Sequence, residues 1–556
     1  MRILALLLCL YNINCYIVPI IPKFRSLNNL YAADTAEKYD ESLSRDLDSQ
    51  EDNMSNNNDK NPSMKNTEKT SDIIDSFMTR FESFDGSISG DSHIDSIRIK
   101  GLDILQNTPT ISGRTEAWRY TNLRKLLKPF INNNEDNNEE IQISSEMKTE
   151  ISNYIDDSCV NSVLVFIDGK YNHDLSCTTA ISSSNGEDGI SFGPFTQMNE
   201  QLKNSLTGNS NSNSNSDSSL IKIIDRDCKP RDSFGSAELA AMNMAALEDG
   251  AIIKIDEDVT CPVPLQVLYY SSGNSNIIAA PRLFIEARRN SNVVIKQTFA
   301  GAGDSSDSND NDNDHEEVLI VSNTHSIVER GGNIHHTYIQ ELGRNARFLE
   351  VLSADIAGDS AYDVSIAQLG SRVGKVNVHL HLQHTGANCS LNGTIMAHRQ
   401  QSLDLHTDIL HDDEATISRQ QQRNVIGDQG EAIFKGRIRV PKHAQLTDSD
   451  QLCRSLMLGE RARVIAMPTL EIIADDVSAS HGASIADLDD NSLFYLASRG
   501  VNRKEARRLL LRGFVHEMLQ GCVMDDKANE RINRKLNSLN PRVDGEGQGS
   551  QKYTSI

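Results

Sequence analysis

Between Ala251 and about Val477, short β-rich segments follow one another, with Gly, Asn and Asp turns between them and no long helical pattern. They include AIIKI, LQVLYY, RLFIEA, NVVIKQTF, EVLIV, NIHHTYIQEL, RFLEVL, YDVSIAQL, VNVHLHLQ, IFKGRIRV and LEIIADDV. Such a series indicates an all-β unit, which can be a barrel, a sandwich or a β-helix. Hairpin signals are scarce and the gaps vary in length, so a stacked β-helix is favoured, although periodicity alone does not settle the choice.

Helical patterns flank this β-rich unit on both sides. Residues 115–130 (TEAWRYTNLRKLLKPF) place Trp118 and three leucines on one helical stripe, which Pro129 ends. Another helix is expected at 236–247, and two more follow His481, the later one capped by Asn502. The predicted organisation is a helical or mixed region at 91–248, a β core at 249–482 with an insertion at 303–317, and a helical region at 483–540.

The ends of the chain and several internal tracts are too polar to form a core. Residues 34–90 are acidic and rich in Asn and Ser, similar tracts stand at 132–140, 204–219 and 304–317, and 541–556 form a polar tail. This composition indicates a disordered leader and surface loops. The net charge of −23 disfavours binding to nucleic acid or to an anionic membrane surface, because both carry the same sign.

The first residues predict a location. Arg2 precedes a short apolar run with the layout of a signal peptide, and a basic, hydroxyl-containing patch follows at 23–26. This signal plus transit-like presequence, 1–33, suggests delivery through the secretory route into a plastid of secondary origin; plain secretion is the alternative. The nine cysteines form no CxxC pair, which favours free thiols in a reducing compartment. No membrane insertion of the mature chain is expected.

Common motifs for phosphate binding and hydrolysis are missing from the sequence. Residues 370–376 (GSRVGKV) lack the spacing and the hydroxyl of a P-loop, and neither GxSxG nor HExxH occurs. The adjacent Asp475 and Asp476 would face opposite ways on a strand, so they cannot flank one bond as acid and base. His481 is a stronger candidate, because it follows the last predicted strand and precedes a glycine where the β unit meets the helices, a usual place for an interface. By residue type alone, a lone histidine is still more often a structural residue than a metal ligand or a catalytic group.

Two long stretches carry a family resemblance. Residues 434–458 (FKGRIRVPKHAQLTDSDQLCRSLML) and 474–500 (ADDVSASHGASIADLDDNSLFYLASRG) resemble the SufB/SufD family, scaffold subunits of the iron–sulfur cluster assembly machinery. EAWRYTNLRKLL at 116–127 is similar to an N-terminal helix of the SufD branch. Ala462 stands where SufB has a functional cysteine and Gly482 where SufB has a glutamate, so the resemblance is to SufD. Ala479 departs from bacterial SufD, which often has a cysteine there.

The resemblance implies a right-handed parallel β-helix core between helical N- and C-terminal parts, in a non-catalytic scaffold subunit that supports iron acquisition and cluster formation. It implies a heterodimer with a SufB-like subunit and docking of a SufC-like ATPase on the C-terminal helices. His481 would lie at the SufB interface and help to hold transient iron or an iron–sulfur cluster, with no cofactor permanently bound. The ATPase-docking residues would be Leu493, Phe494, Tyr495, Arg499, Leu509, Leu510 and Phe514.

Three alternatives stay open. One is a purely structural partner of SufB with no metal role. A secreted parallel β-helix polysaccharide lyase or hydrolase would suit the signal-like start and the β-rich core, but such sites need clustered carboxylates, and no stacked set is found in the sequence. A SufB-type paralogue would share the fold, but it should carry the cysteine and glutamate that Ala462 and Gly482 replace.

Overall fold

The computed structural model describes residues 91–107, 116–123, 126–127, 130, 143–181, 189–198, 235–273, 277–301, 318–519 and 524–539. The predicted presequence, acidic leader, polar tracts and C-terminal tail lie outside these residues. Among the described residues, no helix is both long enough and apolar enough to cross a membrane.

The described strands, numbered in chain order, form two long sheets. Sheet A contains, in spatial order, β2 (Lys170–Tyr171), β1 (Val163–Ile167), β5 (Leu265–Ser271), β8 (Asn292–Gly301), β10 (Asn333–Glu341), β12 (Ala361–Gln368), β14 (Asn388–Ala397), β16 (Ile417–Ile426), β18 (Asp448–Met457) and β20 (Ser478–Ala486). Sheet B contains β19 (Arg463–Ile472), β17 (Glu431–Val440), β15 (Ser402–His411), β13 (Val373–Leu382), β11 (Ala346–Ile356), β9 (Val318–Val328), β7 (Arg282–Ala287), β4 (Ala251–Ile255) and β3 (Ile190–Pro194), and β6 (Ile278–Ala279) pairs with β9.

From β7 onward the chain alternates between the two sheets, so that one strand of each sheet forms a rung. Each of these strands pairs in parallel with the strand one rung before it, for example β10 with β8 and β13 with β11. This is a parallel β-helix, which confirms the predicted fold class. Because parallel strands in register direct paired residues to the same face, side chains one rung apart form columns along the interior.

Alternate residues of each strand fill the interior of the β-helix. Val376 and Val378 of β13 belong to one apolar cluster with Leu403 and Leu405 of β15. Strands with weaker apolar patterns also contribute, because the interior side chains of β16 include three polar residues, Gln420, Gln422 and Asn424, each fully buried.

Helices cover the outer faces of both sheets. The described helices are α1 (Ser92–Asn107), α2 (Ser145–Ser152), α3 (Ser236–Ala245), α4 (Asp490–Ser498), α5 (Arg503–Leu519) and α6 (Asp526–Leu539), with 3-10 turns at Glu116–Trp118, Asp157–Cys159 and Phe195–Gln197. Helix α3 packs on β9 and β11 of sheet B, while α5 and α6 pack on sheet A. The predicted cap on α5 is confirmed, since Asn502 Oδ1 accepts a hydrogen bond from the backbone N–H of Glu505 at 2.9 Å.

One local prediction was confirmed in part, and another was wrong. In the 115–130 segment, Leu123, Leu126, Leu127 and Phe130 have helical backbone, but Glu116–Trp118 form a 3-10 turn and residues 119–122 are not helical. Contacts to the β-helix hold the non-helical part: Thr121 donates to Asp404 at 3.0 Å, and Lys375 lies 5.6 Å from the centre of the Trp118 ring. His481 does not follow the last strand but lies inside β20, because β18 provides a hydrogen-bonding edge along its whole length.

Candidate functional site

The C-terminal end of the β-helix is uncovered within the described part of the chain. Strands β19 and β20, which we call the open end, are last in their sheets and pair on one side only. Large apolar side chains are exposed here: Ile473 is 67% exposed, Ile485 48% and Ile472 37%. A long strand with one unpaired edge is a template for pairing with another chain. The open end therefore has the properties of a protein interface.

His481 lies in the middle of β20. It pairs in register with Gln451 of β18, and Gln451 shares its face with Cys453, a member of the interior apolar cluster. His481 therefore belongs to an interior column. It is exposed because no further described rung covers it. The fold thus places the predicted histidine at the mouth of the β-helix.

A column of amide side chains lies beneath His481. Gln451 Nε2 donates to Gln420 Oε1 at 2.6 Å, and Gln420 Nε2 donates to Thr407 Oγ1 at 2.8 Å. Gly436 leaves room for this column, since a Cβ there would lie 2.3 Å from Gln451 Nε2. The sequence motif contains Gly436 and Gln451, but no sequence signal connects either of them with a histidine thirty or more residues later. That relation comes from the register alone.

Among the described residues, no cysteine presents its sulfur at the open end. Cys453 is one rung below His481, fully buried, and Asn424 Nδ2 lies 3.7 Å from its Sγ. Burial raises the pKa of Cys453 to about 11, which keeps it a thiol at neutral pH. Ala479 is on the same face of β20 as His481, and Ala462 packs into the interior cluster with 7% exposure. The described residues therefore offer an imidazole at this end and no thiolate.

Other histidines are engaged with carboxylates. His381 on the outer face of β13 lies 2.8 Å from Asp412, and His379 lies 3.7 Å from Asp408. Within the described ranges, no group of three or more His, Cys, Asp or Glu side chains is arranged to hold a metal ion. Any iron held at His481 would therefore need ligands from outside the described part of this chain.

The seven predicted docking residues divide into two groups. Phe494 is 75% exposed and Tyr495 46%, and the guanidinium of Arg499 lies 5.3 Å from the Tyr495 ring centre. Leu493 is buried. Leu509, Leu510 and Phe514 are half-buried. The structure thus brings three of the seven to a common exposed surface on α4 and its C-terminus. The side chains of the other four are buried or half-buried.

Helix α5 is anchored to the β-helix near the open end. Arg423 of β16 donates to the backbone carbonyl of Phe514 at 3.0 Å and lies 2.6 Å from the carboxylate of Glu517. Its guanidinium also lies 4.9 Å from the centre of the Phe514 ring. Because Arg423 is nearly buried, these contacts fix the position of α5 on sheet A.

Comparison with known proteins decides the family. The model of the SufBD core domain of SUF-system FeS cluster assembly matches residues 269–514. The chain belongs to the SufBD family. The chloroplastic protein ABCI7 of Arabidopsis thaliana is 27% identical over 447 residues, 79% of this chain and 85% of that protein. The iron-sulfur cluster assembly protein SufD of Escherichia coli is 31% identical over 173 residues, 31% of this chain and 41% of its own length. SufD of Plasmodium berghei is 26% identical over 282 residues, 50% of this chain and 20% of its own length.

The SufBD match runs from β5 to α5 and so includes most strands of both sheets, the open end and α4. SufBD proteins act in iron–sulfur cluster assembly. The open end, His481 and the exposed surface of α4 all lie inside the matched region.

Proposed function

We propose that this chain is a SufD-type, non-catalytic scaffold subunit of a complex that assembles iron–sulfur clusters. In this complex a SufB-like subunit pairs with the open end, and a SufC-like ATPase docks on the C-terminal helices. The observation that carries the proposal is the coincidence of an unpaired strand edge, exposed isoleucines and one exposed imidazole at the same end of the β-helix.

His481 would provide one ligand, and the SufB-like subunit would provide the others. Imidazole is a suitable iron ligand, and a cluster that must later leave is better held by few or mixed ligands than by four thiolates. The buried thiol of Cys453 and the methyl groups of Ala479 and Ala462 support this division of ligands. Iron or a cluster would then be transient cargo, shared across the interface.

The exposed surface formed by Phe494, Tyr495 and Arg499 is the proposed docking site of the ATPase subunit. Helix α4 is followed directly by α5, which Arg423 ties to β16, two rungs before β20. A movement imposed on these helices would therefore reach the β-helix close to the open end. This connection supports a scaffold whose conformation responds to ATP hydrolysis in its partner.

A plastid location is also part of the proposal. One relative is named chloroplastic. The presequence predicted at 1–33 fits import into a plastid of secondary origin. Fusion of residues 1–90 to a fluorescent reporter should direct it to the plastid, and secretion of the reporter would contradict this location.

The complex itself is tested by co-expression with SufB-like and SufC-like subunits, followed by purification and anaerobic iron–sulfur reconstitution. We expect the three chains to co-purify and to form a cluster. The His481→Ala complex should assemble normally but form little cluster, whereas His173→Ala, which removes an exposed imidazole after β2, should behave as wild type. Failure of the wild-type chain to co-purify with either partner would refute the scaffold, and normal cluster formation by His481→Ala would refute the ligand role.

The docking surface has its own test. Phe494→Ser should release the ATPase subunit while the SufB-like subunit stays bound, because Phe494 is 75% exposed and its loss leaves the core intact. Val160→Ser removes another exposed apolar side chain, 52% exposed and distant in the sequence, and should leave the complex unchanged. Retention of the ATPase subunit by Phe494→Ser would contradict the proposed surface.

A further inference from the structure

The amide column beneath His481 has a fixed direction. Gln420 donates its N–H to Thr407, and Gln451 donates its N–H to Gln420. Both amide nitrogens are therefore engaged on the side away from the open end. The carbonyl oxygen of Gln451 is buried and accepts no hydrogen bond from any described residue. A buried carbonyl oxygen normally has a donor, so this atom indicates where a donor is needed.

His481 is the residue of β20 that can supply the donor. It is directly in register with Gln451, on the same face, and the side chains of paired residues on adjacent strands lie about 5 Å apart. The neighbours of His481 on this face of β20 are Ala479 and Ala483, and neither side chain carries a hydrogen-bond donor. An imidazole N–H directed into the β-helix would meet Gln451 Oε1.

We propose that Gln451 is a positioning residue for His481. Its Oε1 accepts the N–H of one ring nitrogen, which fixes the tautomer and leaves the lone pair of the other nitrogen facing out of the open end. A hydrogen bond to the second ring nitrogen is the usual way in which proteins orient a metal-binding histidine. This proposal rests on the proposed function of His481 as an iron ligand, and it adds the residue that selects which nitrogen binds.

The surroundings of Gln451 keep its amide in place. Gln451 is 1% exposed, and its Nε2 is held at 2.6 Å from Gln420. Gly436, on the facing strand β17, leaves the space that the amide occupies, because a Cβ there would collide with Nε2 at 2.3 Å. Rotation of the amide would lose the bond to Gln420. The acceptor is therefore present before any metal or partner arrives.

The ring tautomer can be measured without metal. Full-length chain containing ring-15N-labelled histidine is studied by two-bond 15N–1H correlation, with the His481 signal assigned by its loss in His481→Ala. We expect one dominant tautomer in the wild type, a mixture in Gln451→Leu, and recovery of the wild-type tautomer in Gln451→Glu, which keeps an acceptor oxygen. Gln422→Leu is the matched control, because it removes another buried amide of β16, which bonds to Asn424 and lies outside the column.

The same variants are then compared in the complex with the SufB-like and SufC-like subunits by anaerobic titration with Fe2+. Gln451→Leu should weaken iron binding by about 10–100-fold, and Gln422→Leu and Gln451→Glu should stay close to wild type. An identical tautomer mixture in wild type and Gln451→Leu, or an equal effect of Gln422→Leu, would overturn the proposal. The tautomer measurement, made without iron, tests the positioning role of Gln451, and cluster formation by His481→Ala tests the proposed function. The two proposals can therefore fail separately.

Discussion

Replacing Glu350 with glutamine should stabilise the protein at neutral and alkaline pH. Glu350 lies on β11 inside the β-helix, with no exposed surface, and Tyr338 Oη is 3.4 Å from its Oε2. Burial raises the pKa of Glu350 to about 8, against the smaller lowering effect of hydrogen bonds from Ser322, Thr324 and Tyr338. The folded protein therefore prefers the uncharged acid, whereas the unfolded chain ionises near pH 4.5.

The magnitude follows from these two pKa values. A carboxyl group whose pKa is raised by folding contributes stability that is fully present below pH 4.5 and is lost as the pH rises through about 8. Each pKa unit corresponds to about 1.4 kcal/mol, so ionisation of Glu350 costs about 5 kcal/mol in total, of which about 2 kcal/mol is lost by about pH 6. Glutamine fills nearly the same volume and cannot ionise, so this loss is absent from Glu350→Gln.

Urea unfolding of both proteins at several pH values provides the assay. The free energy of unfolding of Glu350→Gln minus that of the wild type should grow by about 3 kcal/mol between about pH 6 and 9. Glu414→Gln, which changes an exposed glutamate between β15 and β16, should show no such growth. Parallel stability curves for Glu350→Gln and the wild type would refute the reasoning, because they would mean that Glu350 is already ionised in the folded state.

Two further substitutions test the packing around the β-helix. Lys296→Met should lower the free energy of unfolding by about 3–5 kcal/mol, since it leaves the buried carboxylate of Asp156, now 2.7 Å from Lys296, without its cation. Adding Asp156→Asn should recover much of that loss, and the absence of any recovery in urea unfolding would contradict this explanation. Gly436→Ala should lower the free energy of unfolding by about 1–3 kcal/mol, because the new Cβ collides with Gln451. Gly513→Ala on α5 should instead raise it by up to about 1 kcal/mol in thermal unfolding, because a Cβ there meets nothing within 4 Å.

The fold class could be predicted because most strands carry apolar residues at alternate positions. Strand β16 shows why not every strand could be predicted from the sequence. Its sequence, ISRQQQRNVI, has polar side chains on both faces, and the interior residues Gln420, Gln422 and Asn424 bond to polar partners inside the β-helix. A buried amide with a partner is as compatible with the interior as a leucine, but it leaves no hydrophobic period in the sequence.

In the N-terminal segment, tertiary contacts overrule part of a good local pattern. Trp118 and the leucines after it are buried together, as a helical stripe would require, and the backbone of Leu123, Leu126 and Leu127 is helical. Residues 119–122 are not helical, and at this point Thr121 reaches Asp404 and Trp118 covers Lys375. These contacts join residues more than 250 positions apart, so no local reading of the segment could include them.

The candidate site was predicted in part. His481 could be singled out from its place in the sequence, but the column that supports it could not, because Gln451 and Gln420 lie one and two rungs before it. Successive rungs are about thirty residues apart, as the spacing of 31 between the two glutamines shows. In a β-helix, neighbours in a site are therefore distant in sequence, and only the register of the strands reveals them.

The two ends of the β-helix explain why partner binding and metal chemistry should coincide. At the N-terminal end the sheets finish with short strands, the two-residue β2 and the five-residue β3, which ends at Pro194. Short edges and proline are the usual protection against pairing with another chain. At the open end the last strands have ten and nine residues, and β20, unlike β19, contains no proline. The unprotected edge is thus the strand that carries His481. In the complex proposed above, a partner that pairs with β20 would bring its own ligands next to the imidazole and complete the site as it binds.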